Sequence, residues 1–435
     1  MNDLSEIAET ALKIAKQIGA DQASVLVARS QSTEASLREG ALEQLESAED
    51  LSLEFTLYAG QSHASVTTGS LSPENLQETA SRALAMAKRA PADPLAALAE
   101  PELLAREFPD LELTDPRAVD VEALKSLAAR AEQSALAING VTKSAGASAS
   151  STQLQFARAM SNGFRGSGTR TGFAYSISVI AGEGSQMERD YDYSTANWFD
   201  ELESPEIIGK NAGERAIARL HPRKVKSQSL SVIYDPRVAS SLISHLASAA
   251  SGSAIARGTS FLKDSRGHKL FPEHIRIMDD PLLKRRPGSR AFDSDGIAGK
   301  PMSIIAEGVL ENFLLDLRSA RQLNLTPTGH ARGISNFWMA AGELTPDDLM
   351  ADIKQGFYVT ELMGHGANLV TGDYSRGASG FFIENGKITY PVSEVTIAGN
   401  LKDMWANLTP ASDLKFRGTI NAPTCRVEGM TLAGA

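Results

Sequence analysis

The chain switches between two hydrophobic spacings. Leu4, Ile7, Ala8, Ala11, Ile14, Ala15 and Ile18 recur at helical intervals, which predicts an amphipathic helix stopped by Gly19. Ser24 to Ala28 and Leu51 to Tyr58 alternate apolar with polar residues instead, the pattern of strands with one buried face, and the second run ends at Ala59-Gly60. Ser72-Pro73-Glu74 then opens a helix with a hydroxyl N-cap and a proline at the first helical position, its inward face being Leu76, Ala80, Ala83 and Ala87.

Between Pro91 and Pro116 lie five of the chain's 18 prolines. That density prevents a continuous helix or central strand, so residues 91–118 read as a linker wrapped on the surface. The first pattern then returns. A helix through Val121, Leu124, Leu127, Ala128, Ala131 and Ala135 leads to strands, of which Tyr175 to Ile180 ends at Ala181-Gly182. Ser204-Pro205-Glu206 opens another helix, with Ile207, Ile208, Ala212, Ala216 and Leu220 on its face. The recurrence suggests a degenerate internal duplication, with α+β subdomains at 1–90 and 119–225. Strands and helices in separate blocks favour an α+β fold over a doubly wound parallel sheet.

From residue 226 to 435 the patterning is mostly β. Leu230 to Tyr234 is a strand stopped at Asp235-Pro236. In the helix after it Val238, Ala239, Leu242, Ile243 and Leu246 form one apolar face, and Ser241, Ser244, His245 and Ser248 the other. Met302 to Ala306 and Val309 to Leu315 bracket Glu307-Gly308 as a hairpin, and a second hairpin turns at Asn385-Gly386, a dipeptide suited to the two positive φ angles of a type I′ turn. Val392 to Ala398 and Thr424 to Val427 add strands to what reads as a barrel-like or sandwich domain.

Composition narrows the function classes. A length of 435 residues suggests two or three domains, and 42% hydrophobic with 22% charged residues is ordinary for a soluble globular chain. The net charge of -10 argues against a general nucleic-acid binder. Lys284-Arg285-Arg286 with Arg290 is the local exception and reads as a solvated turn. No apolar run reaches membrane-spanning length, and the start at Met1-Asn2-Asp3-Leu4-Ser5-Glu6 is acidic where an export signal is basic. The single cysteine, Cys425, forms no intrachain disulfide and fits a cytoplasmic location, in a strand-like alternation that reads as structural.

Candidate chemistry concentrates before the second hairpin. The segment Gly364 to Gly380 is rich in glycine and carries His365, Asn368, Thr371, Gly372, Asp373, Tyr374 and Arg376, which could shape a peptide cleft or meet a partner. Each is equally readable as a polar residue that holds the loop itself. His63, His221, His268, His274, His330 and His365 show no His-x-x-x-His or His-x-x-Glu-His spacing. Asp279 with Asp280, or Asp293 with Asp295, could in principle bind a hard cation, although Asp293 and Asp295 fit turn and capping roles better. Asn162 to Gly168 is glycine-rich but lacks the Lys-Ser/Thr ending of a phosphate loop.

The runs Gly364-His365-Gly366-Ala367-Asn368 and Thr371 to Glu394 resemble the C-terminal signature of the PmbA (TldE) branch of the TldD/PmbA peptidase family. The likeness extends upstream through Arg286 to Arg290, Phe292 to Gly296, Glu307 to Leu310, Ser319 to Arg321 and Thr328 to Ala331. In the family's catalytic TldD members the corresponding helix resembles His-Glu-x-x-x-His, whose imidazoles hold a metal while the glutamate takes the proton of its bound water. Here that register reads His245-Leu246-Ala247-Ser248-Ala249-Ala250. Leu246 stands at the base position and Ala250 at the second ligand, and Cys425 does not match the family's cysteine ligand. The resemblance therefore implies a chain without metal or cofactor of its own, paired with a zinc-bearing TldD-like catalytic subunit that cleaves unfolded, extended or modified peptides, with a homodimer open to it when alone. A binding module without proteolytic role, such as a modulator of DNA gyrase, is the other reading. A homodimeric peptidase with an unrecognised site fails for want of a ligand cluster.

Overall fold

The computed structural model describes residues 3–434. Its first unit runs α1 (Leu4–Gln17), β1 (Gln22–Arg38), β2 (Ala41–Ala59), β3 (Ser62–Thr68) and α2 (Pro73–Ala87). A second follows as α3 (Val121–Leu136), β4 (Val141–Met160), β5 (Arg165–Ala181), β6 (Glu188–Ala196) and α4 (Pro205–Ala218). The helices begin where the sequence offers caps: the Asp3 carboxylate accepts from Ser5 N at 3.0 Å and the Ser72 hydroxyl from Asn75 N at 3.3 Å.

The two units share one antiparallel sheet in the order β3-β2-β1-β4-β5-β6, joined along β1 and β4. The order is palindromic, as a duplication predicts. Gln31 faces Gln153 across the central ladder, and these two are separated by the same number of residues as Ala59 and Ala181, which end equivalent strands. All four helices cover one face. Val25, Val27, Leu53, Phe55, Ala157 and Ala159 pack with α1 and α2, while Ala35, Leu37, Ala147, Ala149, Ile177 and Val179 pack with α3 and α4. The intervening residues, among them Leu26, Leu154, Phe156, Arg158 and Arg170, point to the opposite, helix-free face.

Two expectations change in extent. β1 and β2 run well beyond the alternating segments, pairing from Gln22 opposite Tyr58 to Arg38 opposite Ala41. The polar stretch between them stays extended because β1 is paired on both sides, by β2 and β4, and this ladder satisfies the backbone without an apolar face. The proline-rich linker is a fastened strap. Ala99, Ala105 and Leu111 are buried. Arg321 donates to the carbonyls of Leu95, Ala97 and Leu98 at 3.0 Å, and Ala105 N donates to Gly296 O at 2.8 Å.

The C-terminal region contains β7 (Gln228–Tyr234), α5 (Pro236–Ala249), α6 (Gly252–Ala256), β8 (Ile277–Asp279), β9 (Met302–Ala306), β10 (Val309–Leu310) and α7 (Leu317–Leu323). It continues with β11 (Phe337–Met339), α8 (Pro346–Met350), β12 (Gln355–Met363), β13 (Asp373–Glu384), β14 (Lys387–Asn400), α9 (Leu401–Ala406), β15 (Leu408–Pro410), β16 (Ile420–Asn421) and β17 (Cys425–Ala433). Strands β14-β13-β12-β7-β17 close into a barrel through β14–β17 pairing, and β10-β9-β8-β11-β16 form a second sheet. Both hairpins turn where expected, with positive φ at Glu307, Gly308, Asn385 and Gly386. Leu242, Leu246 and Ala250 lie in one core with Phe357 and Val359 of the barrel and Phe337 and Met339 of the second sheet. No helix among the described residues is long and apolar enough to cross a membrane.

Ion pairs fasten this region to the N-terminal sheet. Arg237 of α5 meets Asp190 of β6 at 2.7 Å, Arg219 meets Glu361 of β12 at 2.5 Å, and Arg417 meets Asp192 at 3.2 Å.

Candidate functional site

The helix α5 starts on Asp235, whose carboxylate accepts from Arg237 N at 2.9 Å, with Pro236 in the first turn. One turn spacing then sends Leu242, Leu246 and Ala249 inward and leaves Ser241 and His245 on the side toward β13. Leu246 and Ala250 have no exposed surface at all. A glutamate and a histidine at these two positions would each sit inside the apolar core, so positions 245, 246 and 250 do not fit a zinc site.

His245 is the polar member left over. Its ring meets Tyr374 edge to face, with centroids 5.9 Å apart, and its buried Nε2 has no hydrogen-bond partner. Burial, reinforced by the Arg376 guanidinium, pushes its pKa down to about 4, so the ring is neutral at pH 7. Arg376 Nε is also buried without a partner. Val238, Ser241 and Arg376 line a polar pocket of ≈ 260 Å³ together with Glu361 and, from the N-terminal sheet, Asp190 and Tyr191. The charges there are largely engaged: Asp190 accepts from Arg237 at 2.7 Å, and Glu361 is held by Arg219.

The glycine loop before β13 sorts its candidate residues into two groups. Tyr374 is buried and Arg376 half-buried, both facing His245. His365, Asn368, Thr371 and Asp373 lie on the exposed side. Within that side the polar groups bond to one another. Asn368 Oδ1 accepts from Val370 N at 2.9 Å, Thr371 Oγ1 donates to Asp373 Oδ2 at 2.7 Å, and Asn400 Nδ2 donates to Asp373 Oδ1 at 3.2 Å. Donation from Thr371 and Asn400 holds the Asp373 carboxyl below its usual pKa. Gly372 is required where it stands: its φ is +91° and a Cβ would come within 2.8 Å of Asn400 Oδ1.

The other acidic candidates are structural. Asp279 is fully buried and accepts from Ser335 N at 2.7 Å and Ser335 Oγ at 2.5 Å, with His330 Nε2 at 3.0 Å. Asp280 caps Leu282 N at 2.8 Å, and Asp293 accepts from the backbone N–H groups of Asp295, Ile297 and Ala331. Cys425 is buried, which pushes its thiol pKa up and makes it unreactive. No three His, Cys, Asp or Glu side chains among the described residues are placed to hold a metal ion.

Three arginines escaped the sequence reading. Arg158, Arg170 and Arg332 line, with Arg290, a separate and larger cleft of ≈ 870 Å³ under the helix-free face of the N-terminal sheet. They are scattered along the chain, and only the strand parity of Arg158 and Arg170, both even-numbered members of β4 and β5, hinted that they share a face.

Family profiles match three consecutive segments: PmbA/TldA metallopeptidase domain 1 at residues 23–87, the central domain at 114–220 and the C-terminal domain at 227–434. The metalloprotease PmbA of Escherichia coli O157:H7 is 39% identical over 433 residues, covering 99% of this chain and 96% of that protein. A crystal structure from Bacteroides thetaiotaomicron, described as a modulator of DNA gyrase, is 30% identical with a TM-score of 0.93, covering 99% of this chain and 98% of that one. TldE from Thermococcus kodakarensis, at 20% identity, shares the fold with a TM-score of 0.86 over 98% of this chain and all of its own, 100%.

Proposed function

The chain belongs to the PmbA/TldD metallopeptidase family, and from that membership we propose that it is the metal-free, supporting subunit of a TldD/TldE-type heterodimeric metalloprotease that processes unfolded and modified peptides. The observation that carries this reading is the interior position of Leu246 and Ala250. Water-activating chemistry needs a carboxylate and a second imidazole facing an accessible metal, and the helix here turns those positions into the core. Zinc and the general base then belong to a TldD-like partner.

The exposed side of the glycine loop is the surface proposed to meet that partner or an extended peptide. Met363 and Val370 flank His365 there, 48% and 60% exposed, which is costly for apolar side chains left in water. The segment from Asn368 to Asp373 is held rigid by its own hydrogen bonds, a useful property in a docking surface. Gly372, Tyr374 and Arg376 support it from beneath. The net charge of -10 disfavours direct nucleic-acid contact. Cytoplasmic placement rests on the lone reduced cysteine.

The test is peptidase activity on an unfolded peptide together with metal analysis, for this chain alone and mixed with a TldD-like protein from the same cell. Activity and bound zinc are expected only in the mixture, and are lost when the partner's His-Glu-x-x-x-His is mutated. Cleavage with stoichiometric metal by the lone chain overturns the proposal.

A further inference from the structure

The helix-free face of the N-terminal sheet, the strap near residues 108–114 and the loop near residues 287–294 enclose the ≈ 870 Å³ cleft, a volume of the kind that holds a ligand of several rigid groups. Its two ends differ in chemistry. At one end Phe156 on the floor meets Phe292, with ring centroids 6.0 Å apart, and Phe292 meets Phe108 at 5.4 Å. Phe108 is 47% exposed although it belongs to this aromatic cluster.

Arg158 lies on this aromatic side, opposite Gly166, whereas Arg170, opposite Leu154 on the far side of Phe156, has Arg290 and Arg332 as its charged neighbours. Arg158 donates to Ser24 Oγ at 3.2 Å and to the Ser294 carbonyl at 3.1 Å, and Arg170 donates to the Pro287 and Ser289 carbonyls at 2.9 and 2.5 Å. Arg290 donates to the Ile334 carbonyl at 2.8 Å and to the Gly333 carbonyl, while its Nε is buried without a partner. Arg332 is exposed and makes no hydrogen bond or ion pair among the described residues. These partners are neutral oxygens, so they fix the side chains without neutralising them. Asp293 lines the same cleft but is engaged by three backbone N–H groups and forms no ion pair with any of the four. Burial lowers the pKa of Arg158, Arg170 and Arg290 below the ordinary guanidinium value; Glu54, Asp295 and Asp293 partly offset this at Arg158, and Asp279 and Asp293 at Arg290, whereas at Arg170 the like charges of Arg332 and Arg290 reinforce it. Like charges gathered out of water are unfavourable until an anion joins them.

We propose that this cleft binds the terminal carboxylate of a short peptide whose last side chain is apolar or aromatic, with the carboxylate among Arg170, Arg290 and Arg332 and the side chain against Phe108, Phe156 and Phe292. Guanidinium groups match a carboxylate through paired N–H donors. The nearby Asp293 charge disfavours a dianion such as a phosphate monoester more than a carboxylate. The volume leaves room for two or three residues behind the terminal one.

Calorimetric titration of the full chain, alone, with N-acetyl-Ala-Leu-Phe acid and with its C-terminal amide tests this. The acid is expected to bind one per chain and the amide about tenfold or more weakly. Arg332→Ala removes an exposed side chain without a protein partner, so it is expected to weaken the acid about tenfold with unchanged thermal unfolding, and Phe108→Ala to weaken acid and amide alike. Equal affinity for acid and amide, no acid binding up to about 1 mM, or an Arg332→Ala variant that binds normally overturns the proposal. So does phenyl phosphate binding more tightly than the peptide acid, which reassigns the cleft to phosphate ligands. Because the titration reads binding to the isolated chain, its outcome is independent of the peptidase assay with a partner.

Discussion

The glycine loop before β13 and the helix α5 that it covers were equally plausible places for chemistry, and their polar atoms behave in opposite ways. On the outer side of the loop, Asn368, Thr371, Asp373 and Asn400 answer one another's hydrogen bonds. Beneath it, His245 Nε2 and Arg376 Nε are buried without partners. A polar loop that satisfies itself is a shaped surface, whereas a buried polar group with an unmet hydrogen bond is unfavourable for the fold and calls for a partner from outside it. His245 is such a group: its imidazole has no partner, while its neighbours on the helix, Leu246 and Ala250, lie in the core.

The strongest way to break this contrast is to restore the missing pair. Leu246→Glu with Ala250→His puts a carboxylate and an imidazole into fully buried positions. Burying a charge without a partner costs several kcal/mol, so a loss of about 4 kcal/mol or more is expected in urea unfolding, with no zinc-dependent cleavage. A stable, zinc-loaded double variant that cuts peptides would mean that α5 can present this face outward.

A smaller effect separates glycines within the loop. Gly366 has φ +44°, and a Cβ there would lie 2.1 Å from the Ser375 carbonyl oxygen. Gly377 has ordinary backbone angles, and its nearest neighbours are Met363 side-chain atoms at 3.4 Å. Gly366→Val is therefore expected to destabilise by about 3 kcal/mol, through backbone strain and collision with backbone. Gly377→Val is expected to stay within about 1 kcal/mol, because Met363 is flexible and half exposed. Equal unfolding midpoints for the two variants would show that the loop yields where the structure has it rigid.

Much of this was legible because it rests on local rules. Ser72-Pro73 starts a helix through a cap that needs only neighbouring residues, and Asn385-Gly386 turns a hairpin through its own backbone preference. The repeat of the α+β unit was visible for the same reason. The long polar strands around Ser30 to Asp50 were not, since their order comes from pairing with β2 and β4 rather than from an apolar pattern. Loop candidates such as Asp373 could not be assigned either way until Asn400, remote in sequence, was seen beside it. The arginine cleft was hidden most completely: Arg158, Arg170, Arg290 and Arg332 come from two strands and two loops, and only the docking of the C-terminal region onto the helix-free face brings them together.

The finest effect is in the pH dependence of stability. Folded His245 titrates near 4 because burial and the Arg376 charge disfavour the imidazolium, whereas the unfolded ring titrates near its ordinary 6.5. Between those values the unfolded chain binds the extra proton, so stability is fully present above pH 6.5 and declines as pH falls toward 4. Asp295 acts in the opposite sense, since burial and Asp293 raise its pKa to about 6 and stability then falls as pH rises toward that value. Comparing wild type with His245→Leu cancels the Asp295 contribution, which both proteins share. Allowing for the water that reaches the partly exposed ring, the wild type is expected to lose about 1 kcal/mol more than the variant between about pH 7 and pH 5 in urea unfolding. Parallel pH profiles for the two proteins would mean that the imidazole finds a proton acceptor or open water in the native state, and His245 would then belong with the self-satisfied residues of the loop above it.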